Sequence, residues 1–284
     1  MPNKTLSLKL ACIALSAGLL TFPSLSVAQD LENKSDKDIA AEAAKELANP
    51  NTALAALNFK FQYNSGYEQG GDSFTTLFQP ALPFPLENGD KVIFRPAIPF
   101  ISNNLEGGSG NATHSGVGDI AFDLAYAPKL DNGNIAAFGV FAQLPTGSEE
   151  FSADQFAIGP EIMLGKATQE HVFGAFPSHL WGVTNGIEGS EDINKTSLQL
   201  FYVKIIGGGW TLGSSPMMSY DWNNDQAEIP INVNVSKTVV MGGKPWKLGF
   251  EANYYVEKDE KTRPDFMIGF NVSPVVNNAL ADLF

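Results

Sequence analysis

Residues 116–147 read GVGDIAFDLAYAPKLDNGNIAAFGVFAQLPTG, and they are written as a β-hairpin. In the first arm Ile120, Phe122, Leu124 and Tyr126 alternate with Asp119, Ala121, Asp123 and Ala125. A period of two places the apolar residues on one face and the acids on the other. The turn Leu130-Asp131-Asn132-Gly133-Asn134 is short and rich in residues that accept positive φ. The second arm alternates again, with Ala136, Phe138, Val140, Ala142 and Leu144 on one face and Ala137, Gly139, Phe141 and Gln143 on the other. Each arm has about ten to twelve residues, whereas soluble strands average about five or six and a tilted bilayer-crossing strand needs about nine to eleven. The hairpin therefore raises a transmembrane β-barrel, which the rest of the chain must support.

From residue 54 onward the pattern repeats. Alternating stretches fall at 54–64, 73–86, 91–101, the two arms of the hairpin, 155–165, 171–182, 196–206, 210–221, 228–239, 246–256 and 265–273, which makes twelve strands. Five connections are tight, at 87–90, 130–134, 166–170, 207–209 and 241–245. Six are mostly longer and more polar, at 65–72, 102–115, 146–154, 183–195, 222–227 and 257–264. Long and tight connections alternate strictly, as they do in bacterial outer-membrane barrels with short periplasmic turns and long outer loops. Parity alone does not say which face is inside; strand length, loop alternation and the leader favour apolar-out. Trp210 and Trp246 follow tight turns, and Trp181 and Trp222 flank long loops, as two interfacial girdles would require. The stretch 171–182 gives no facing, because Phe173 and Trp181 share parity with His171 and His179, while Phe176 and Leu180 lie opposite.

The segment 1–28 reads as a cleaved secretory signal, with Lys4 and Lys9, an apolar run at 10–20 and the small-x-small end Ser26-Val27-Ala28. Without Lys4 and Lys9 the chain has 16 basic and 31 acidic residues, a formal charge of −15. That sign argues against a nucleic-acid partner. Cys12 lies in the leader, so the mature chain carries no disulfide framework. Residues 29–53 are Ala- and Glu-rich and predict a helix over 37–48, with Asp36 or Asp38 as N-cap and Pro50 beyond its end. It is either a solvated periplasmic segment or a plug in a barrel lumen. The barrel is expected over 54–274, and 275–284 reads as a helix-like tail after Pro274.

The polar face supplies the candidate site. Lys60, Arg95, Asp119, Asp123, Glu161 and Glu251 should point into the lumen as pore-lining or binding residues. If the 102–115 loop is symmetric, Arg95 lies near Asp123 and Pro99 opposite Asp119, within the short Cβ spacing of opposed residues. Four acids against two bases predict weak cation preference. No catalytic set emerges: His114-Ser115 and Ser178-His179 are adjacent, so their side chains point to opposite faces, away from the His–Ser geometry a hydrolase needs. His171 and His179 are eight apart on one strand, too far to share an ion, so no metal and no cofactor are expected. Gly107-Gly108-Ser109-Gly110 and Gly207-Gly208-Gly209 open no helix and are not phosphate loops.

GVGDIAFDLAYAPK, LPTG at Leu144–Gly147, SSPMMSYDW at Ser214–Trp222 and Leu-Phe-Gln-Pro at Leu77–Pro80 together resemble a group of bacterial outer-membrane barrels. These are labelled phenol-degradation meta-pathway proteins or transporters, and some relatives carry the misnomer neuromedin U. The likeness runs from about residue 44 to residue 273. Its motifs are strand and turn signatures, so it transfers fold better than function. It implies an all-β, single antiparallel outer-membrane barrel of about twelve strands that passes small solutes, hydrophobic or aromatic ones among them. The implied partners are outer-membrane lipid, the solute, and the barrel-assembly machinery during export, whose aromatic C-terminal signal Phe284 fits loosely. Two rival functions are a soluble periplasmic lipid-binding barrel and an outer-membrane lipid-modifying enzyme.

Overall fold

The computed structural model describes residues 35–105, 113–186 and 192–281. The expected leader and Phe284 lie outside these residues. One helix, α1 (Asp36–Glu46), precedes the strands β1 (Ala55–Ala56), β2 (Phe59–Ser65), β3 (Gly71–Phe78), β4 (Leu82–Pro85) and β5 (Lys91–Leu105). There follow β6 (His114–Val117), β7 (Ile120–Ala127), β8 (Asn134–Leu144), β9 (Ala157–Ala167), β10 (His171–Gly182) and β11 (Asn194–Gly207). The last are β12 (Trp210–Ser214), β13 (Met217–Asp221), β14 (Gln226–Met241), β15 (Lys244–Glu257) and β16 (Phe266–Val276).

Four passes are each broken into two segments, β1/β2, β3/β4, β6/β7 and β12/β13, so sixteen segments make twelve passes. Pro80 and Pro216 stand in two of the breaks, where a missing N–H interrupts the ladder. Every pairing is antiparallel, each pass bonds to its sequence neighbours, and β16 returns to pair with β2 from Phe266↔Ser65 to Val272↔Phe59. The sheet is thus a closed barrel with no free edge. Long loops collect at one rim and tight turns at the other, as the connection lengths predict.

The two faces settle which side is inside. Phe138, Leu164, Ile231, Phe250 and Ile268 are exposed, the last two at 60%. Ser73, Asp123, Glu161, Thr211, Asn232, Ser236, Thr238 and Ser273 are buried. A water-soluble barrel would show the reverse; apolar-out with polar-in is the transmembrane arrangement. Trp181 and Trp222 are exposed at the long-loop rim and Trp210 at the tight-turn rim, while Trp246 is half-buried. The ambiguous stretch resolves on β10: Phe173 and Trp181 face out, and Val172, Phe176 and Leu180 face in. Its outward His179 stacks on Trp181 at 4.1 Å between ring centroids and hydrogen-bonds Thr196 Oγ1 at 2.7 Å.

Helix α1 starts one residue before the expected 37 and stops two before the expected 48. Its N-cap is Ser35, whose Oγ accepts from the Asp38 N–H at 3.4 Å. Ala40, Ala43 and Ala44 are buried, and the helix packs mainly on β14. Gly209 closes the turn between β11 and β12 against β14: it has φ +85°, and a Cβ there would lie 2.5 Å from the Thr238 carbonyl oxygen. At the other end of the chain β16 runs through Pro274, which pairs with Trp246, to Val275 and Val276 opposite Ala56 and Ala55. The expected helix-like tail from 275 therefore begins as strand, because Pro274 costs one ladder N–H while its carbonyl still accepts from Leu57 N–H.

Candidate functional site

A charged cluster forms where β5, β7, β9 and β10 meet the residues that follow α1. Arg95 stands opposite Asp123 in the β5–β7 register, and its Nε lies 3.0 Å from Asp123 Oδ2. Glu161 on β9 is 2% exposed, lies against Asp123 and within reach of Arg95, and its Oε1 has no hydrogen-bond partner. The Arg95 guanidinium also lies over the Phe176 ring, 5.1 Å from its centroid. Pro50 closes this cluster from the tight-turn side, leaving a cavity of about 10 Å³ bounded by Pro50, Arg95, Asp123, Glu161, Met163 and Phe176. That is room for about one water.

The segment behind Pro50 is held firmly. Ala48 is buried among Ile93, Ala125, Ala127, Ile135, Ala137, Met163 and Val172, an apolar wall inside the barrel. Lys91 Nζ donates to the Asn51 carbonyl oxygen at 2.5 Å, and Lys45 Nζ to Gln169 Oε1 at 2.5 Å.

A second charged group lines the opposite wall. Lys60 on β2 and Glu251 on β15 both face in, and Gln62 Nε2 donates to Glu251 Oε1 at 3.4 Å. Lys247, one turn of the pleat from Glu251, faces the same group. The charges of Arg95 and Asp123 reach Lys60 across the lumen. A glycine stands opposite each inward glutamate, Gly139 facing Glu161 and Gly269 facing Glu251. A Cβ on Gly269 would come within 2.7 Å of Glu251 Cγ, so the missing side chain makes the room.

Five of the six expected residues thus share the lumen, and the sixth serves a loop. Asp119 lies in the break between β6 and β7, where Gly118 N–H donates to the Pro99 carbonyl oxygen, so Pro99 faces Gly118 instead of Asp119. Its carboxylate accepts from Ser152 Oγ, Ala153 N, Gly147 N, Thr146 N and Gln143 Nε2 at 2.6–3.1 Å. It therefore pins the loop between β8 and β9. Lys247 was missed, although it shares strand parity with Glu251 four residues on, and that spacing carried the signal. The lumen then holds Lys60, Arg95 and Lys247 against Asp123, Glu161 and Glu251, so the expected excess of acids disappears.

Above this level the lumen opens into a vestibule of about 250 Å³ at the long-loop rim. Asn64, Tyr67, Ser73, Thr75, Asn103 and Tyr255 line it, together with the ion pair of Arg263 Nε and Glu228 Oε2 at 3.1 Å. Arg263 belongs to the loop between β15 and β16. Inside that loop the buried Lys258 ammonium bonds Glu260 Oε2 at 2.6 Å and Asp265 Oδ1 at 3.1 Å. Thr262 Oγ1 and the Lys261 N–H donate to Asp259, holding its carboxyl below the usual carboxylate range. The loop is therefore internally fixed, which fixes Arg263 over the vestibule.

Among the described residues no group of His, Cys, Asp and Glu could hold a metal ion. Among the described residues no helix is long and apolar enough to cross a membrane.

Comparison with known proteins agrees with this architecture. An outer membrane channel from Pseudomonas putida F1 superposes with a TM-score of 0.64 at 14% identity, covering 78% of this chain and 95% of that one. The NanC porin superposes at 0.51, also 14% identical, covering 78% and 99%. At these identities the likeness speaks for the fold. The outer membrane phospholipase A of Escherichia coli, at 0.45 and 11% identity, carries no argument for either fold or chemistry. No curated protein matches the chain. The family model described as "Putative MetA-pathway of phenol degradation" matches residues 44–193, more than half of the sequence, from the end of α1 to the start of β11. With the closed twelve-pass barrel built around that region, the chain belongs to this family of outer-membrane β-barrels.

Proposed function

We propose that the protein is an outer-membrane channel or transporter that passes small solutes without covalent chemistry, with its tight turns in the periplasm and its long loops outside. The observation that carries this reading is the lumen itself. It is lined with hydroxyls, amides and ionisable side chains inside an apolar belt, and the chain's own Ala48 and Pro50 pack against that lining. A barrel that only anchored the chain in lipid would have no use for a polar interior of this kind. Eight strands leave a lumen filled by side chains and sixteen an aqueous channel; twelve with an inserted segment lies between. The family label points to aromatic compounds, but the lining supports small polar solutes better, since the apolar wall of the lumen is the part that Ala48 covers.

Conductance in a planar bilayer tests the proposal. The full chain should show small or intermittent current, and a chain lacking residues 36–50 should show a larger and steadier one. Silence from both proteins, each folded as a barrel, overturns the passage. Release of fatty acid from the bilayer phospholipid by the silent protein would put a lipid-modifying enzyme in its place.

A further inference from the structure

The vestibule at the long-loop rim has a chemistry of its own. Its polar lining is unusually available: Thr75 and Asn103 make no side-chain hydrogen bond among the described residues, and Asn64 uses only its Nδ2, toward Ser73 Oγ at 3.2 Å. Amides and hydroxyls that face one space without partners offer donors and acceptors in mixed order. The two tyrosine rings supply flat apolar surface beside them, and Tyr67 is oriented by its own hydrogen bond to Ser73 Oγ at 2.8 Å. The charges among the described residues balance in number. Arg263 is paired with Glu228, and Lys195 on β11 faces Asp221 and that same pair. Among the described residues an anion entering the vestibule therefore meets no net positive charge, and a cation no net negative charge. A phenol-like ring would satisfy one hydroxyl and leave most of the lining unpaired. The solute this surface fits carries several neutral hydroxyls around a compact ring and fills a space of about 250 Å³.

We propose that this vestibule is a binding site for an uncharged polyhydroxylated solute of monosaccharide size, held by Asn64, Thr75, Asn103 and the Arg263–Glu228 pair against Tyr67 and Tyr255. The site rests on the channel reading, because it lies on the route to the Arg95–Asp123–Glu161 level, and it names the class of solute that route admits. Fixing of the 258–265 loop by Lys258 means that the site is already formed before the solute arrives, so binding costs little ordering.

The test is calorimetric titration of the full-length protein in detergent with glucose, glucuronate and phenol, repeated with Asn103→Leu and Arg263→Leu. Glucose should bind more tightly than either competitor. Each substitution should weaken glucose by about fivefold or more, the equivalent of one lost hydrogen bond. Both variants should keep the heat-dependent gel mobility of a closed barrel. If Arg263→Leu loosens the loop and fails to fold, Asn103→Leu and a Thr75→Val variant carry the test on the strands alone. Phenol or glucuronate binding as well as glucose overturns the assignment, as does glucose affinity that none of the folded variants moves. The two proposals fail separately. A protein that binds glucose but never conducts keeps the site and loses the channel. One that conducts but binds no glucose keeps the channel and loses the site.

Discussion

Asp123 and Asp119 are four residues apart with the same parity, yet the structure gives them different work. Asp123 completes the ion pair with Arg95 inside the lumen, while Asp119 gathers four donors from the loop between β8 and β9 and one from Gln143 at the end of β8. Substitutions should separate the two roles. Asp123→Asn removes one carboxylate from the lumen, so the reversal potential across a potassium chloride gradient should move toward anion preference. The barrel should lose on the order of 1–3 kcal/mol for the Arg95 charge left without its partner. An unmoved potential in a folded protein would remove Asp123 from the conduction path. Asp119→Ala should instead leave the potential alone and expose residues 145–156 to proteinase K, because their N–H groups lose the carboxylate that collects them. The Arg95–Asp123 pairing was legible in the sequence, since parity and a nearly symmetric loop fix the register. The role of Asp119 was not, because it depends on a loop folding back over the rim, which no period encodes.

At the scale of elements, the strands were readable because each is long, alternates cleanly and ends in turn residues. The breaks at Pro80 and Pro216 left the number of passes unchanged. The N-terminal segment was harder to place. Its composition predicts a helix wherever it sits; in the structure Ala40, Ala43 and Ala44 are buried where the helix packs on β14, and Ala48 is buried against the apolar wall inside the barrel. The seating of Ala48 rests on that fit, so a single side chain should undo it. Ala48→Glu puts a carboxylate among Ile93, Ile135, Met163 and Val172, which costs several kcal/mol in an apolar site unless the segment leaves. Open-state conductance should therefore rise as it does on deletion of residues 36–50, with the barrel intact. Current equal to that of the parent would show that the segment does not control the passage.

For the whole molecule, closure is the governing fact. β16 pairs with β2 over seven register positions and with β1 over two more, so no strand is left as an edge. A ladder closed in this way should resist dodecyl sulfate until heated, and the unboiled chain should run ahead of the boiled one on a gel. Identical mobility would contradict a closed barrel in detergent. The ring also sets the arithmetic of any traffic through it. Ala48 is joined to β1 by only a few residues, so the lumen's occupant behaves as an intramolecular ligand, present at an effective concentration of order millimolar that no dilution lowers. On the channel reading, a solute arriving at the Arg95–Asp123–Glu161 level would compete with that tethered rival. Its apparent affinity there is its intrinsic affinity multiplied by the share of chains whose segment is withdrawn; with about one chain in a hundred withdrawn, it falls about a hundredfold. Scarce solute would meet a shut passage, whereas abundant solute would hold the segment out and keep its own route open.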